Sequence, residues 1–272
     1  MVCPNCGGQS AKFDFREPYE GVSGRVPSVS PAQQKAFMDV FCEAARKLDD
    51  WTAKVGWKPM QRLSNLRVFV SWKYPFARSL VPQWTGDPGR MEFPAFRVAV
   101  GEAGALHELV HIYFPNANRM LAEGLAVYLQ QKIGNTSAFP NFGQDLRRMM
   151  KCELTDNLGG DLEDINLVAV DQITTPSSLE IRYGLETIDE AGWVYVIVGS
   201  FVQFLLEDFG KSNGLHDTAR LEKFRTLYAK TPLVPLRRDA GSLDRWKDVY
   251  GVALPELEKR WRSWIERGPK CP

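Results

Sequence analysis

His107-Glu108-Leu109-Val110-His111 spends two of the chain's three histidines four positions apart, with a carboxylate between them. On an α-helix four residues advance about 400°, so the two imidazoles lie about 40° apart on one face, one turn along. That spacing suits two corners of a zinc tetrahedron, because zinc accepts neutral imidazole nitrogen at about 2.0–2.1 Å. Glu108 stands beside the same face, where a carboxylate can reach a metal-bound water and take its proton. The pattern predicts a helix carrying half of a catalytic metal site. The competing reading is a core or surface helix that merely holds two histidines.

A catalytic zinc site needs a third protein ligand and an open fourth position. Eleven residues separate His111 from Glu123, which lies in Asn118-Arg119-Met120-Leu121-Ala122-Glu123-Gly124-Leu125-Ala126-Val127-Tyr128. Phe114-Pro115-Asn116-Ala117-Asn118 reads as a helix stop, a turn and a new N-cap. The first helix is therefore expected to end near Tyr113. The second is expected to run from Arg119 to Lys132, with Gly134 beyond its end. So short a loop makes the helices neighbours, and Leu121, Leu125 and Leu129 supply the second one's core face. His107, His111 and Glu123 are the candidate metal ligands and Glu108 the candidate general base; taken alone, Glu123 reads equally as a solvated helix carboxylate.

These two segments together resemble the gluzincin metallopeptidases, in particular the bacterial peptidase MA-like branch related to aminopeptidase N and thermolysin. Tyr195-Val196-Ile197-Val198-Gly199-Ser200-Phe201 through Phe209-Gly210 is similar to a helix of that branch, as are Tyr250-Gly251 and Leu254 to Trp264 near the end. The resemblance spans residues 95 to 266 and implies an α+β, mainly α fold. That fold is a thermolysin-like zincin catalytic domain with a small mixed β-sheet followed by a helical C-terminal lobe. The implied cofactor is Zn2+, held by His107, His111 and Glu123, and the implied substrate a peptide or protein. Glu108 becomes the general base, and Tyr195 the donor of a hydrogen bond to the developing oxyanion; a core aromatic is the plainer reading of Tyr195. Nothing matches the segment by which aminopeptidases hold a free α-amino group; Glu102 in Gly101-Glu102-Ala103-Gly104 is a poor substitute for it. Phe96-Arg97-Val98-Ala99-Val100 reads as a strand, and the resemblance makes it the edge that pairs with extended substrate backbone.

Length, 44% hydrophobic and 25% charged content are ordinary for a soluble globular protein with a sizeable core. A net charge of +1 gives no reason to expect nucleic acid or an anionic membrane as partner. No uninterrupted apolar run approaches about 18 residues, so no membrane span is expected, and Gly192 to Leu206 reads as a buried helix. Met1-Val2-Cys3-Pro4-Asn5-Cys6-Gly7-Gly8 lacks the basic start and apolar stretch of a signal peptide. Cys3 and Cys6 resemble one knuckle of a zinc ribbon, half a site to be completed by Cys271 or a partner chain, with free thiols as the alternative. Cys42, Cys152 and Cys271 stand singly, and five cysteines without a framework favour a reducing compartment. Cytoplasmic is the expected location, or exported if a leader has been removed.

Residues 1–29 read as a poorly ordered segment, followed by a metallopeptidase domain over 30–268, split into 30–134 and 135–268. Ser30-Pro31 starts a helix whose apolar face is Phe37, Phe41, Ala44 and Leu48. Leu66 to Trp72 alternates as a strand, and the proline-rich Lys73 to Arg90 reads as a long loop over the site. Helices are expected over Gln144–Cys152, Glu190–Asp208, Asp217–Ala229, Leu243–Tyr250 and Leu254–Glu266, with a turn-rich stretch over 153–189. His216 reads as a capping-region histidine, and Arg147, Arg148 and Lys151 as solvated helix charges or a grip on an acidic substrate. The functional expectation is a zinc peptidase. A non-peptidase zinc hydrolase on the same scaffold, or a non-catalytic zinc-containing binding protein, are the alternatives.

Overall fold

Ser30 begins the longest helix with a reciprocal cap: its Oγ accepts from the Gln33 N–H at 3.3 Å, and the Gln33 side chain accepts from the Ser30 N–H at 2.8 Å. In this computed structural model that helix, α1, runs Pro31–Val55 and stops at Gly56, whose φ of 64° suits a residue without a Cβ. Residues 2–6, 9–16, 28–60, 66–74, 77–81, 89–134, 137–153, 162, 163, 165, 188–231 and 242–271 are described. The chain is α+β, mainly helical, with a small mixed sheet. It divides into two compact units, Met1–Pro115 with Lys132–Phe142, and Asn116–Gln131 with Gly143–Pro272.

The first unit holds the sheet: β1 (Val2–Cys6), β2 (Gln9–Phe15), β3 (Leu66–Ser71), β4 (Arg78–Leu80) and β5 (Arg90–Pro94), in the order β1-β2-β3-β5-β4. β2, β3 and β5 are parallel, and the outer strands β1 and β4 run antiparallel to their neighbours. α1 provides the crossover between parallel β2 and β3. Register brings Phe13 opposite Val68 and Val70 opposite Phe93. On this face Phe13 meets Phe37 and Phe41 of α1 at 6.0 and 5.2 Å, and Phe93 meets Phe37 at 5.1 Å. Each such ring contributes about 1.5–3 kcal/mol by leaving water.

Three expectations change here. The N-terminal stretch, expected to be poorly ordered, supplies two strands of the sheet, because Ala11 and Phe13 alternate inward and are buried on the core side. Phe96–Val100, expected as an edge strand, is helical: α2 (Ala95–Val100) buries Ala95 and Val98, three apart, and ends at Gly101 with φ 81°. The strand at the edge is instead β4, inside the stretch expected to be a loop. Then come α3 (Ala105–Tyr113), α4 (Arg119–Leu129) and its π-helical continuation Gln130–Gly134, close to the predicted limits.

α4 belongs to the second unit, with α5 (Leu146–Glu153), α6 (Ile188–Glu207), α7 (Asp217–Lys230), α8 (Asp244–Tyr250) and α9 (Leu254–Glu266). α4 and α6 approach through paired glycines. A Cβ on Gly124 would lie 2.6 Å from a Val202 methyl and 2.8 Å from the Val198 carbonyl oxygen, and one on Gly199 2.6 Å from a Val127 methyl. Residues Trp193–Asn213 are long and apolar enough to cross a membrane by length and composition, more than the sequence reading allowed, yet 67% of their most apolar 18-residue stretch is buried inside the structure. Phe201 meets Trp246 and Trp261 at 5.7 and 6.0 Å, and Phe204 meets Trp264 at 5.8 Å.

The cysteine reading is corrected too. Cys152 and Cys271 form a disulfide with Cα atoms 5.4 Å apart, bridging a sequence separation of 119, and Cys42 is also disulfide-bonded. Cys271 is therefore not available to complete a metal knuckle. Arg147 and Lys151 reinforce the tie: the Arg147 Nε donates to the Trp264 carbonyl at 3.0 Å, and the Lys151 Nζ to the Gly268 carbonyl at 2.8 Å. They cap the end of α9 rather than standing as solvated charges.

Candidate metal centre

α3 starts without a side-chain cap, at Gly104 in the left-handed region with φ 64°. The turn before it is closed by Arg97, whose Nη1 donates to the Glu102 carboxylate at 3.0 Å, so Glu102 already has a cationic partner. Every α3 residue except His111 is buried. The helix is pinned at its far end by the Tyr113 hydroxyl, which donates to the Asp49 carboxylate at 2.9 Å, and by the Met60 N–H on the Tyr113 carbonyl at 2.9 Å.

The His107 and His111 Nε2 atoms lie 3.2 Å apart, with ring centroids separated by 4.9 Å and planes at 79°. The i,i+4 spacing therefore turns two ring nitrogens toward one point. Glu108, buried between them in sequence, receives a hydrogen-bonding partner from β4: the Ser79 Oγ lies 2.8 Å from Glu108 Oε2 and 2.8 Å from the Glu108 carbonyl oxygen.

Asn118 builds the start of α4. Its side chain accepts from the Leu121 N–H at 3.1 Å, while its own N–H donates to the Asn116 side chain at 2.9 Å. One turn in, Glu123 is 2% exposed and pairs with Arg119 across 2.8 Å, an i,i+4 bridge. Burial first, and the Glu123 carboxylate second, push the Tyr228 phenol well above its ordinary pKa. The Tyr228 carbonyl accepts from the Asn116 side chain at 3.1 Å.

Among the described residues, His107, His111 and Glu123 form a group that could hold a metal ion, their ligand atoms all within 4.8 Å of one another. Tyr195 stands half-buried near the start of the described part of α6. Cys3 and Cys6 fall in β1 with their side chains outside the described residues. His216 is the exposed N-cap residue of α7 and makes no side-chain cap. The turn-rich stretch 153–189 lies almost wholly outside the described residues.

The sequence reading passed over three residues: Ser79, hidden among prolines; Arg119, whose i,i+4 spacing to Glu123 was legible; and Tyr228, 105 positions from the carboxylate that it senses. No protein-family model matches the chain, and neither a curated protein nor a solved structure matches it significantly.

Proposed function

We propose that the chain is a zinc-dependent peptidase of the gluzincin type, peptidase MA-like, on a thermolysin-like scaffold. One observation carries the reading: the two Nε2 atoms stand 3.2 Å apart with a buried glutamate completing the group. Two nitrogens at about 2.0–2.1 Å from a tetrahedral zinc are separated by about 3.3 Å, so the spacing fits adjacent corners. The donor set, two imidazoles and a carboxylate, is the one that zinc peptidases use.

When bound, zinc supplies a Lewis acid that polarises the scissile carbonyl and acidifies the attacking water. His107 and His111 would hold the ion, and Glu123, which also pairs with Arg119, would complete its protein ligands. Glu108 takes the water's proton on its carboxylate and returns it to the leaving nitrogen, which needs no covalent intermediate. Tyr195 is assigned the hydrogen bond to the oxyanion. Among the described residues no strand pairs with the outer edge of β4, which lies beside Glu108 through Ser79, and that edge is assigned to an extended peptide backbone. The Cys152–Cys271 disulfide favours export over the cytoplasm, since such bonds persist in oxidising compartments.

The test is zinc content by elemental analysis with a mixed-peptide cleavage assay on the same samples. Wild type is expected to carry one zinc per chain and to cleave; Glu123→Ala loses both. Glu108→Gln keeps the metal and loses at least about 100-fold in kcat, the scale of general-base catalysis. Zinc without cleavage of any peptide would move the conclusion to another hydrolase or a non-catalytic zinc protein. No zinc uptake at all would end the metallopeptidase reading.

A further inference from the structure

Ser79 is the middle residue of β4, buried while Arg78 is exposed and Leu80 half-buried, so its side chain points inward from a strand whose neighbours do not. β4 pairs with β5 on one side only, through Arg78 with Glu92, Ser79 with Met91 and Leu80 with Arg90. It ends the sheet, and among the described residues no strand lies on its other edge. A sheet edge of this kind presents N–H and C=O groups ready to pair.

The Ser79 hydroxyl reaches the general-base candidate twice, at 2.8 Å to the Glu108 carboxylate and at 2.8 Å to the Glu108 carbonyl. The hydroxyl's one proton is shared between the carboxylate oxygen and the same residue's carbonyl, which ties the Glu108 carboxylate to the strand. Displacing β4 displaces the hydroxyl, and the carboxylate follows.

We propose that Ser79 is a positioning residue that couples occupancy of the β4 edge to the orientation of Glu108. The occupant is the extended backbone of the peptide substrate, so the inference rests on the peptidase reading. A peptide long enough to pair with β4 steadies the strand, and through Ser79 it aims the base at the water. A peptide too short to reach the strand supplies none of that aim. Substrate length therefore raises kcat, beyond any effect on KM; this is binding energy from remote parts of the substrate spent at the reacting atoms.

The experiment compares wild type, Ser79→Ala and Ser79→Thr, all zinc-loaded, on a short and a seven-residue peptide sharing one scissile bond. Wild type is expected to show higher kcat on the longer peptide. Ser79→Ala should lower that kcat about 10–100-fold, the usual scale for removing a supporting hydrogen bond at such a site. KM, zinc content and melting temperature stay put, and the kcat ratio of long to short falls toward one. Ser79→Thr, which keeps the hydroxyl on a side chain suited to a strand, restores the ratio. Crystal structures should show the Glu108 carboxylate in one rotamer in wild type and Ser79→Thr, and turned in Ser79→Ala. Wild-type kcat in Ser79→Ala, or an equal loss on both peptides, overturns the coupling and leaves the peptidase reading standing. A zinc-loaded wild type that cleaves neither this peptide nor any other overturns the reading and the coupling with it.

Discussion

The two helices that carry the ligand candidates are held by opposite means. α3, with both histidines, has no side-chain cap and starts from a left-handed glycine; its ties are hydrogen bonds reaching in from Ser79, Asp49 and Met60. α4, with Glu123, has a full cap at Asn118, an internal ion pair, and a glycine pressed against the backbone of α6. Both helices are buried, but the hydrogen bonds that tie α3 can give by tenths of an ångström. The glutamate side is positioned by close packing, which cannot. Changes around α3 should therefore appear in turnover, and changes around α4 in stability and metal affinity.

The largest break comes at Gly124. Any Cβ there meets both the Val202 methyl and the Val198 carbonyl at under 3.0 Å, and the carbonyl belongs to a buried helix that cannot yield cheaply. Gly124→Val should cost about 3 kcal/mol or more, against only about 0.4 kcal/mol of helix propensity that the substitution regains. Urea unfolding measures it; a variant as stable as wild type would mean that α4 and α6 are not packed this way.

A pH ramp sharpens the same contrast. Tyr128, on α4, is pushed far above its ordinary range by burial first and by Glu207 second; burial does the same to Tyr250. In the unfolded chain both ionise near pH 10, while in the folded chain they stay protonated. The folded state then binds more protons, so stability is full below about pH 10 and falls above it, by at most about 1.4 kcal/mol per pH unit for each tyrosine. Tyrosinate absorbance and helical circular dichroism should change together; tyrosinate appearing first, with the helices intact, would contradict this burial.

Arg119→Ala comes next. The guanidinium holds one oxygen of a carboxylate that is otherwise buried, and such supporting contacts are worth about 10–100-fold in metal affinity. The expected result is weaker zinc binding by competition with a chelator, with kcat of the fully loaded protein little changed. An unchanged zinc affinity would show that Arg119 does not orient Glu123.

What the sequence made readable follows from range. His107, Glu108 and His111 share one helical turn, and Glu123 lies one short loop away, so local periodicity reached all four. The helix limits from α5 to α9 were legible for the same reason. Phe96–Val100 misled because Phe96, Val98 and Val100 recur at every second position as in a strand, while the burial of Ala95 and Val98 at helical spacing is visible only in three dimensions. β4 is three residues long, and its existence depends on pairing with β5 rather than on its own composition. Ala11 and Phe13 did alternate, but glycine, serine and proline around them outweighed that signal. The pairing of Cys152 with Cys271 spans 119 positions, where no local pattern reaches.

The smallest expected effect tests the capping half of the comparison. Asn118 accepts the Leu121 N–H at 3.1 Å, satisfying one of the donors that a helix start leaves open. Asn118→Ala removes that acceptor and should cost about 1 kcal/mol, whereas Asn118→Asp keeps an acceptor and adds a charge favourable at a helix N-terminus. The two variants together separate the cap from the packing: alanine lowers the urea midpoint and aspartate holds it. α3 offers no equivalent experiment, because Gly104 has no side chain to lose. A substitution there acts through backbone strain at φ 64°, and its cost reports conformation rather than a cap. If Asn118→Ala proves silent while Gly104→Ala lowers stability, the assignment of capping to α4 and backbone geometry to α3 survives only in its second half.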